Sequence, residues 1–159
     1  MARELEIREA TGDDVGLVVA LWREFEAEVH EPMWRDDDTE DDLRELKRAI
    51  GTDIVLLAEQ GERPVGLAVA EVKGERVGFL DILYVRSDAR RFGVAAALVR
   101  ATVDRLRAQS REVLQLEVAE SNDRARSVYA RWGFSPVELT LAAPLDALAE
   151  RLTISAKGS

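Results

Sequence analysis

Arg90-Arg91-Phe92-Gly93-Val94-Ala95-Ala96 decides the fold, because this stretch follows an apolar run ending in Leu83-Tyr84-Val85 and opens an amphipathic helix. From Gly93 onward no side chain of the stretch exceeds a methyl or isopropyl group, so bare backbone N–H groups can face a ligand. A helix leaves its first four N–H groups without internal partners and gathers partial positive charge at that end, which suits a phosphate. Gly93 allows close approach of backbone to ligand, Arg90 and Arg91 add mobile positive charge, and Ala95 and Ala96 keep the first turn narrow.

The residues exclude two other phosphate loops: there is no Gly-Lys-Ser/Thr, and the three-glycine dinucleotide fingerprint is missing. Downstream, Asn122, Ala125, Tyr129, Gly133 and Phe134 form Asn-x-x-Ala-x-x-x-Tyr-x-x-x-Gly-Phe in one run. Steps of three and four residues set Asn122, Ala125 and Tyr129 on one helix face, with Gly133 where a helix would end. The Arg-x-x-Gly-x-Ala of residues 90–95 resembles the pyrophosphate-binding motif of the GCN5-related N-acetyltransferase (GNAT) superfamily, and the Asn122–Phe134 run resembles its coenzyme A arm. Both motifs stand in that family's order and spacing.

Periodicity along the chain predicts a matching order of elements. Leu5 to Arg8 alternates like a strand, and Thr11-x-x-Asp14 offers a capping box for a helix with Val15, Val18, Val19, Trp22, Phe25 and Val29 on one face, ending near His30. Thr39-x-x-Asp42 opens a second helix closed by Gly51. Ile54–Ala58, Val65–Val72 and Val77–Val85 read as an antiparallel meander with Gly61-Glu62-Arg63-Pro64 and Lys73-Gly74-Glu75-Arg76 as its turns. A helix over Val94–Gln109, a strand over Val113–Val118 and a helix over Asn122–Trp132 follow, giving a locally parallel unit. Pro136–Leu141 reads as a possible last strand, and Pro144 begins a short helix bearing Leu145, Leu148 and Leu152. The expected architecture is one mixed α/β domain over residues 1–159, order β-α-α-β-β-β-α-β-α-β with a C-terminal helix, which agrees with the GNAT fold.

That resemblance implies an acetyl-coenzyme A cosubstrate and a set of site residues. The backbones of Leu83 and Val85 would bond the pantetheine arm where two parallel strands splay, and Arg90, Arg91, Phe92, Gly93, Val94, Ala95 and Ala96 would hold the pyrophosphate. Asn122 would contact the cofactor, serve as a helix N-cap, or both. Tyr129 would protonate the departing thiolate, unless it is only an aromatic on the apolar stripe with Val128 and Trp132. For the amine proton, Asp81 is the first carboxylate and Glu117 the second; period-2 alternation predicts Asp81 on the face of Leu83 and Val85. For both, the plainer reading is a solvent-facing strand carboxylate. The Val85 N–H is the family-like oxyanion donor. Trp22, Phe25, Trp34 and Trp132 read as packing groups and His30 as a helix-end residue, though Trp34 also lies in the inter-helix loop that shapes the acceptor pocket in relatives.

Composition bounds the chemistry. With no Cys, disulfides, thiolate metal sites and an acyl-cysteine are excluded, and a single His argues against a metal site. No apolar run reaches membrane-spanning length and the N-terminus lacks a secretory pattern, so a cytoplasmic protein without membrane association is expected. A net charge of −9 argues against nucleic acid. Residues 24–42 hold ten acids and one base, which leaves 21 acids and 21 bases elsewhere. That stretch reads either as a solvated face or as a rim drawing in cationic amines. The expected activity is acetyl transfer to a primary amine, with a polyamine or aminoglycoside-like small molecule as acceptor and a possible homodimer as the working form. Acetylation of a protein N-terminus or lysine, and a coenzyme A-binding sensor without turnover, are the alternatives.

Overall fold

The computed structural model describes residues 3–29 and 39–157. His30, Glu31, Trp34 and Asp36 to Asp38 lie outside them. Tracing the backbone contacts divides the chain into two compact units, residues 1–119 and 120–159.

The first unit is built on five strands, β1 (Leu5–Glu9), β2 (Ile54–Gln60), β3 (Arg63–Lys73), β4 (Val77–Val85) and β5 (Val113–Leu116), lying in that order across one sheet. Neighbours β1 to β4 pair antiparallel; β5 joins β4 in parallel after crossing over through a helix, α3 (Val94–Ala108). Two further helices, α1 (Val15–Glu28) and α2 (Thr39–Ala49), cover the opposite face. The central strands are therefore buried on both sides, which is why Ile54 to Ala58 forms an unbroken apolar run instead of alternating. Under α1 and α2, Val18, Leu21 and Trp22 meet Leu57, Leu67 and Ile82; under α3, Val94, Leu98 and Leu106 meet Leu56, Val65 and Leu80.

Two glycines set how closely α3 lies on the sheet. A β-carbon on Gly78 would come within 2.5 Å of both methyl carbons of Leu106, and one on Gly66 within 3.0 Å of a Leu98 methyl and of the Tyr84 carbonyl. Close seating of α3 fixes its N-terminus beside the end of β4. At the other end of the sheet, Asp14 accepts from the Thr11 N–H at 2.8 Å and from two Arg8 nitrogens, each at 2.8 Å. The expected capping box is thus present, but it closes a 3-10 turn over Gly12–Asp14 before α1 begins at Val15.

The second unit contains α4 (Asp123–Arg131) and α5 (Leu145–Lys157). The mixed α/β class and the order β-α-α-β-β-β-α-β-α are those expected. Three local details differ: Arg63 and Pro64 belong to β3, β5 stops at Leu116, and Pro136–Leu141 joins no strand. Among the described residues no helix is long and apolar enough to cross a membrane, and no group of acids or His stands where it could hold a metal ion.

Candidate active site

The β4–β5 ladder runs only from Val77 opposite Val113 to Leu80 opposite Leu116, whereas β4 continues five residues further to Val85. Beyond Leu80 that edge of β4 pairs with no strand among the described residues, at the place where the resemblance implies a splay. Which main-chain groups it offers follows from pairing with β3. Arg86 donates to the Val65 carbonyl at 2.8 Å, so hydrogen-bonded pairs alternate along the ladder with Val85 opposite Gly66 and Leu83 opposite Ala68 as non-bonded ones. The N–H and C=O groups of Leu83 and Val85 therefore face away from β3, towards the vacated edge.

At the end of β4 the chain makes a 3-10 turn over Ser87–Ala89 and reaches α3 through two left-handed residues, Arg91 at φ 70° and Gly93 at φ 77°. The first bond into the helix runs from Ala97 N–H to Gly93 O at 3.0 Å, so the N–H groups of Val94, Ala95 and Ala96 precede it, and no side chain caps them. Space is open where a β-carbon on Gly93 would stand. Uncapped N–H groups above a bare glycine fit a diphosphate. Buried Ala89 and Val94 anchor the loop on either side, while Arg91, Phe92 and Ala96 are exposed and Ala95 is half-buried.

Arg90 is held rather than mobile. Its Nε donates to the Val85 carbonyl at 2.8 Å, its Nη2 pairs with Glu28 at the end of α1, and its guanidinium lies over the Tyr84 ring, 5.8 Å from the centroid. A parallel clamp sits one helical turn earlier: Arg86 binds Glu24 through two bonds of 2.9 and 3.0 Å, donates to the Pro64 carbonyl, and shares Glu24 with the Tyr84 hydroxyl. Arg86 holds the Glu24 carboxyl below its usual range; burial and then the two glutamates push the Tyr84 phenol up. Glu24 and Glu28 are four residues apart, as are Arg86 and Arg90. That matching interval is present in the sequence, where Glu24 and Glu28 stand within the acidic stretch of residues 24–42.

Asp81 stands at a β-bulge. Val69 pairs with Ile82 and Ala70 with Leu80, so Asp81 is the extra residue on β4. The bulge removes the ground for expecting Asp81 on the face of Leu83 and Val85, since alternation fails there: Leu80, Leu83 and Val85 pack on the α3 side, Ile82 and Tyr84 on the α1–α2 side. The charges acting on Asp81 belong to the latter side, with Glu45 and Asp42 coming from α2. Its side chain reaches solvent, yet desolvation raises its pKa, Glu71 raises it further, Lys73 opposes, and Glu45 and Asp42 add to the rise. Glu117 is exposed, one residue past the last paired position of β5.

Within the second unit, Asn122 is the N-cap of α4, its side chain accepting from Ala125 N–H at 3.1 Å. Gly133 at φ 97° ends the helix, with Gly133 N–H bonded to Ala130 O and Phe134 N–H to Tyr129 O. Tyr129 lies edge-on to Trp132 and Phe134, at centroid distances of 5.9 and 5.7 Å, and desolvation pushes its phenol above the usual value.

A family model described as the acetyltransferase (GNAT) family matches residues 17–134. No curated protein matches the sequence. Solved structures of similar fold include an aminoglycoside acetyltransferase, meta-AAC0020, from an uncultured soil metagenomic sample in complex with sisomicin, 19% identical, with 88% of this chain and 94% of that one covered and a TM-score of 0.67. A ribosomal-protein-alanine N-acetyltransferase from Brucella melitensis biovar Abortus 2308 is 19% identical over 89% of this chain and 100% of its own, with a TM-score of 0.68. A predicted acetyltransferase with acetyl-CoA from Clostridium acetobutylicum is 19% identical over 89% of this chain and 97% of its own, with a TM-score of 0.71. At these identities the likeness is one of fold.

Proposed function

We propose, since this chain belongs to the acetyltransferase (GNAT) family and is thereby an acetyl-coenzyme A-dependent N-acetyltransferase, that its acceptor is a small cationic primary amine of the polyamine or aminoglycoside kind. The observation that carries this reading is the set of carboxylates around the β4 bulge, in which Asp81 senses Glu71, Glu45 and Asp42 with Lys73 as the opposing charge. Such a field attracts ammonium groups and makes one carboxyl more basic, two properties that an amine acceptor needs.

Bound acetyl-coenzyme A supplies a thioester carbonyl and a thiolate leaving group. The uncapped N–H groups of Val94, Ala95 and Ala96 hold the diphosphate, with Gly93 leaving room and the main chain of Arg91 and Phe92 flanking it. The outward N–H and C=O groups of Leu83 orient the arm, the Val85 carbonyl is held by Arg90, and the Val85 N–H donates to the oxygen that gains charge. Asp81, or Glu117 in its stead, takes the ammonium proton through water so that the amine can attack directly. Tyr129, kept protonated by desolvation, donates to the sulfur as it leaves. Asn122 orders the start of α4 for the coenzyme A arm. No covalent acyl-enzyme is invoked, there being no Cys.

The test is thiol release from acetyl-coenzyme A across polyamines, aminoglycosides, amino acids and short peptides. The proposal expects stoichiometric thiol with di- and polyamines and weak activity on peptides. A preference for peptide N-termini would move the assignment to a protein acceptor, the specificity that the name of the Brucella neighbour describes. Cofactor binding with no thiol release for any amine would make the chain a sensor.

A further inference from the structure

Lys73, the last residue of β3, lays its ammonium over an aromatic ring of the neighbouring strand. Its Nζ stands 4.0 Å from the centroid of Phe79 and 3.1 Å from a carboxylate oxygen of Glu71, which Phe79 faces across the β3–β4 ladder. Ala70, Val72 and Leu80 pack on the α3 side, so alternation sets Glu71, Lys73 and Phe79 on the other face, from which Glu71 and Lys73 act on Asp81. An aromatic face beside a carboxylate is a seat for an ammonium group, and here an ammonium already occupies it.

The hold on that occupant is weak. The Lys73 and Glu71 side chains are 53% and 44% exposed, and an ion pair so open contributes little. Another cation can therefore displace Lys73. Phe79 precedes Asp81 by two residues on β4, roughly 7 Å along an extended strand, which is about the separation of the ammonium groups in a short alkyl diamine. The β4–β5 ladder closes one residue after Phe79, at Leu80 opposite Leu116, so the seat borders the stretch of β4 that pairs with no strand on that edge.

We infer that Phe79 and Glu71 form the seat for the second ammonium group of an alkyl diamine acceptor, and that Lys73 fills this seat until such an acceptor displaces it. The inference rests on the cationic-amine reading above and narrows it. One nitrogen of the diamine loses its proton near Asp81, while the other stays an ammonium on Phe79. Lys73 opposes the effect of Glu71 on the Asp81 carboxyl, and the ammonium that replaces it does the same. A monoamine leaves Lys73 where it is. Lys73 thus determines specificity without touching the reacting atoms.

The test compares putrescine with butylamine in thiol release from acetyl-coenzyme A, and titrates putrescine calorimetrically into the full chain without cosubstrate. Lys73→Met, which keeps the apolar stem and empties the seat, should lower KM and Kd for putrescine about fivefold and leave KM for butylamine within about twofold. Adding Phe79→Leu should cancel the gain with no change of net charge. Glu71→Gln in the same background should cancel it for putrescine alone, a second readout should Phe79→Leu fail to fold. No gain in Lys73→Met, an equal gain for both amines, or a gain that survives Phe79→Leu would overturn the inference. Absence of thiol release with every amine would strike the acceptor reading instead, and the calorimetric comparison would still decide whether the seat takes a diamine.

Discussion

The Nε of Arg90 donates to the carbonyl of Val85 at 2.8 Å, so the last outward-facing carbonyl of β4 is held by the loop that leads into α3. The other side of the same guanidinium pairs with Glu28, which ties that loop to the end of α1. One side chain thus fixes the spacing of the three elements around the proposed cosubstrate site.

Removing that tie should loosen cosubstrate binding before it affects chemistry. A hydrogen bond from a charged donor contributes about 1.5–3 kcal/mol. Arg90 is only partly shielded, so the low end applies, and Arg90→Ala should raise KM for acetyl-coenzyme A about tenfold while kcat falls less. Glu28→Gln should show a weaker effect of the same kind. Steady-state kinetics with varied acetyl-coenzyme A checks both; an unchanged KM in Arg90→Ala would detach Arg90 from cosubstrate binding.

Gly93 and Gly133 separate backbone cost from ligand contact. Both have left-handed φ angles and open space where a β-carbon would stand, so Ala at either costs roughly 1–2 kcal/mol of backbone strain without a clash. Thermal denaturation should show comparable losses. Calorimetric titration should show weakened acetyl-coenzyme A binding for Gly93→Ala alone; equal binding in both variants would remove the α3 N-terminus from the diphosphate site.

Asp81 makes a prediction whose sign follows from its raised pKa. Desolvation and Glu71 favour the protonated form in the fold, so ionised Asp81 lowers stability at neutral pH, the effect appearing as pH rises through the raised folded value. Asp81→Asn should therefore raise Tm slightly at pH 7 while lowering kcat. If ionised Asp81 accepts the amine proton, kcat/KM should fall on acidification at a pH above the usual carboxylate range, and that limb should vanish in the variant. A retained limb would pass the role to Glu117.

The elements around the site were legible where their determinants are local. Gly93 before Val94 and Asn122 with Gly133 specify helix ends through cap geometry within a few residues, and the structure has those caps. What could not be read depends on partners distant in sequence. The bulge at Asp81 arises from a two-against-one mismatch with β3, and Glu24 and Glu28 find Arg86 and Arg90 some 62 residues away. Pro136–Leu141 has strand alternation but no strand to pair with among the described residues, and alternation alone does not make a strand. Arg63 and Pro64 failed as a turn because a shift of register at Ala58 extends the β2–β3 ladder to Gln60 opposite Arg63.

Tyr129 separates a packing role from a chemical one. Its ring touches Trp132 and Phe134 edge-on, contacts that Tyr129→Phe preserves, and its phenol is desolvated, which holds the proton at neutral pH. If the hydroxyl protonates the departing thiolate, the substitution should lower kcat by about 10²-fold, the scale of one general-acid contribution, with KM for acetyl-coenzyme A and Tm nearly unchanged. A leaving group of lower thiol pKa should recover part of the loss, because it needs less help from a proton donor. Equal loss with natural and activated thioesters, or full turnover in the variant, would leave Tyr129 as an aromatic that only packs in the second unit.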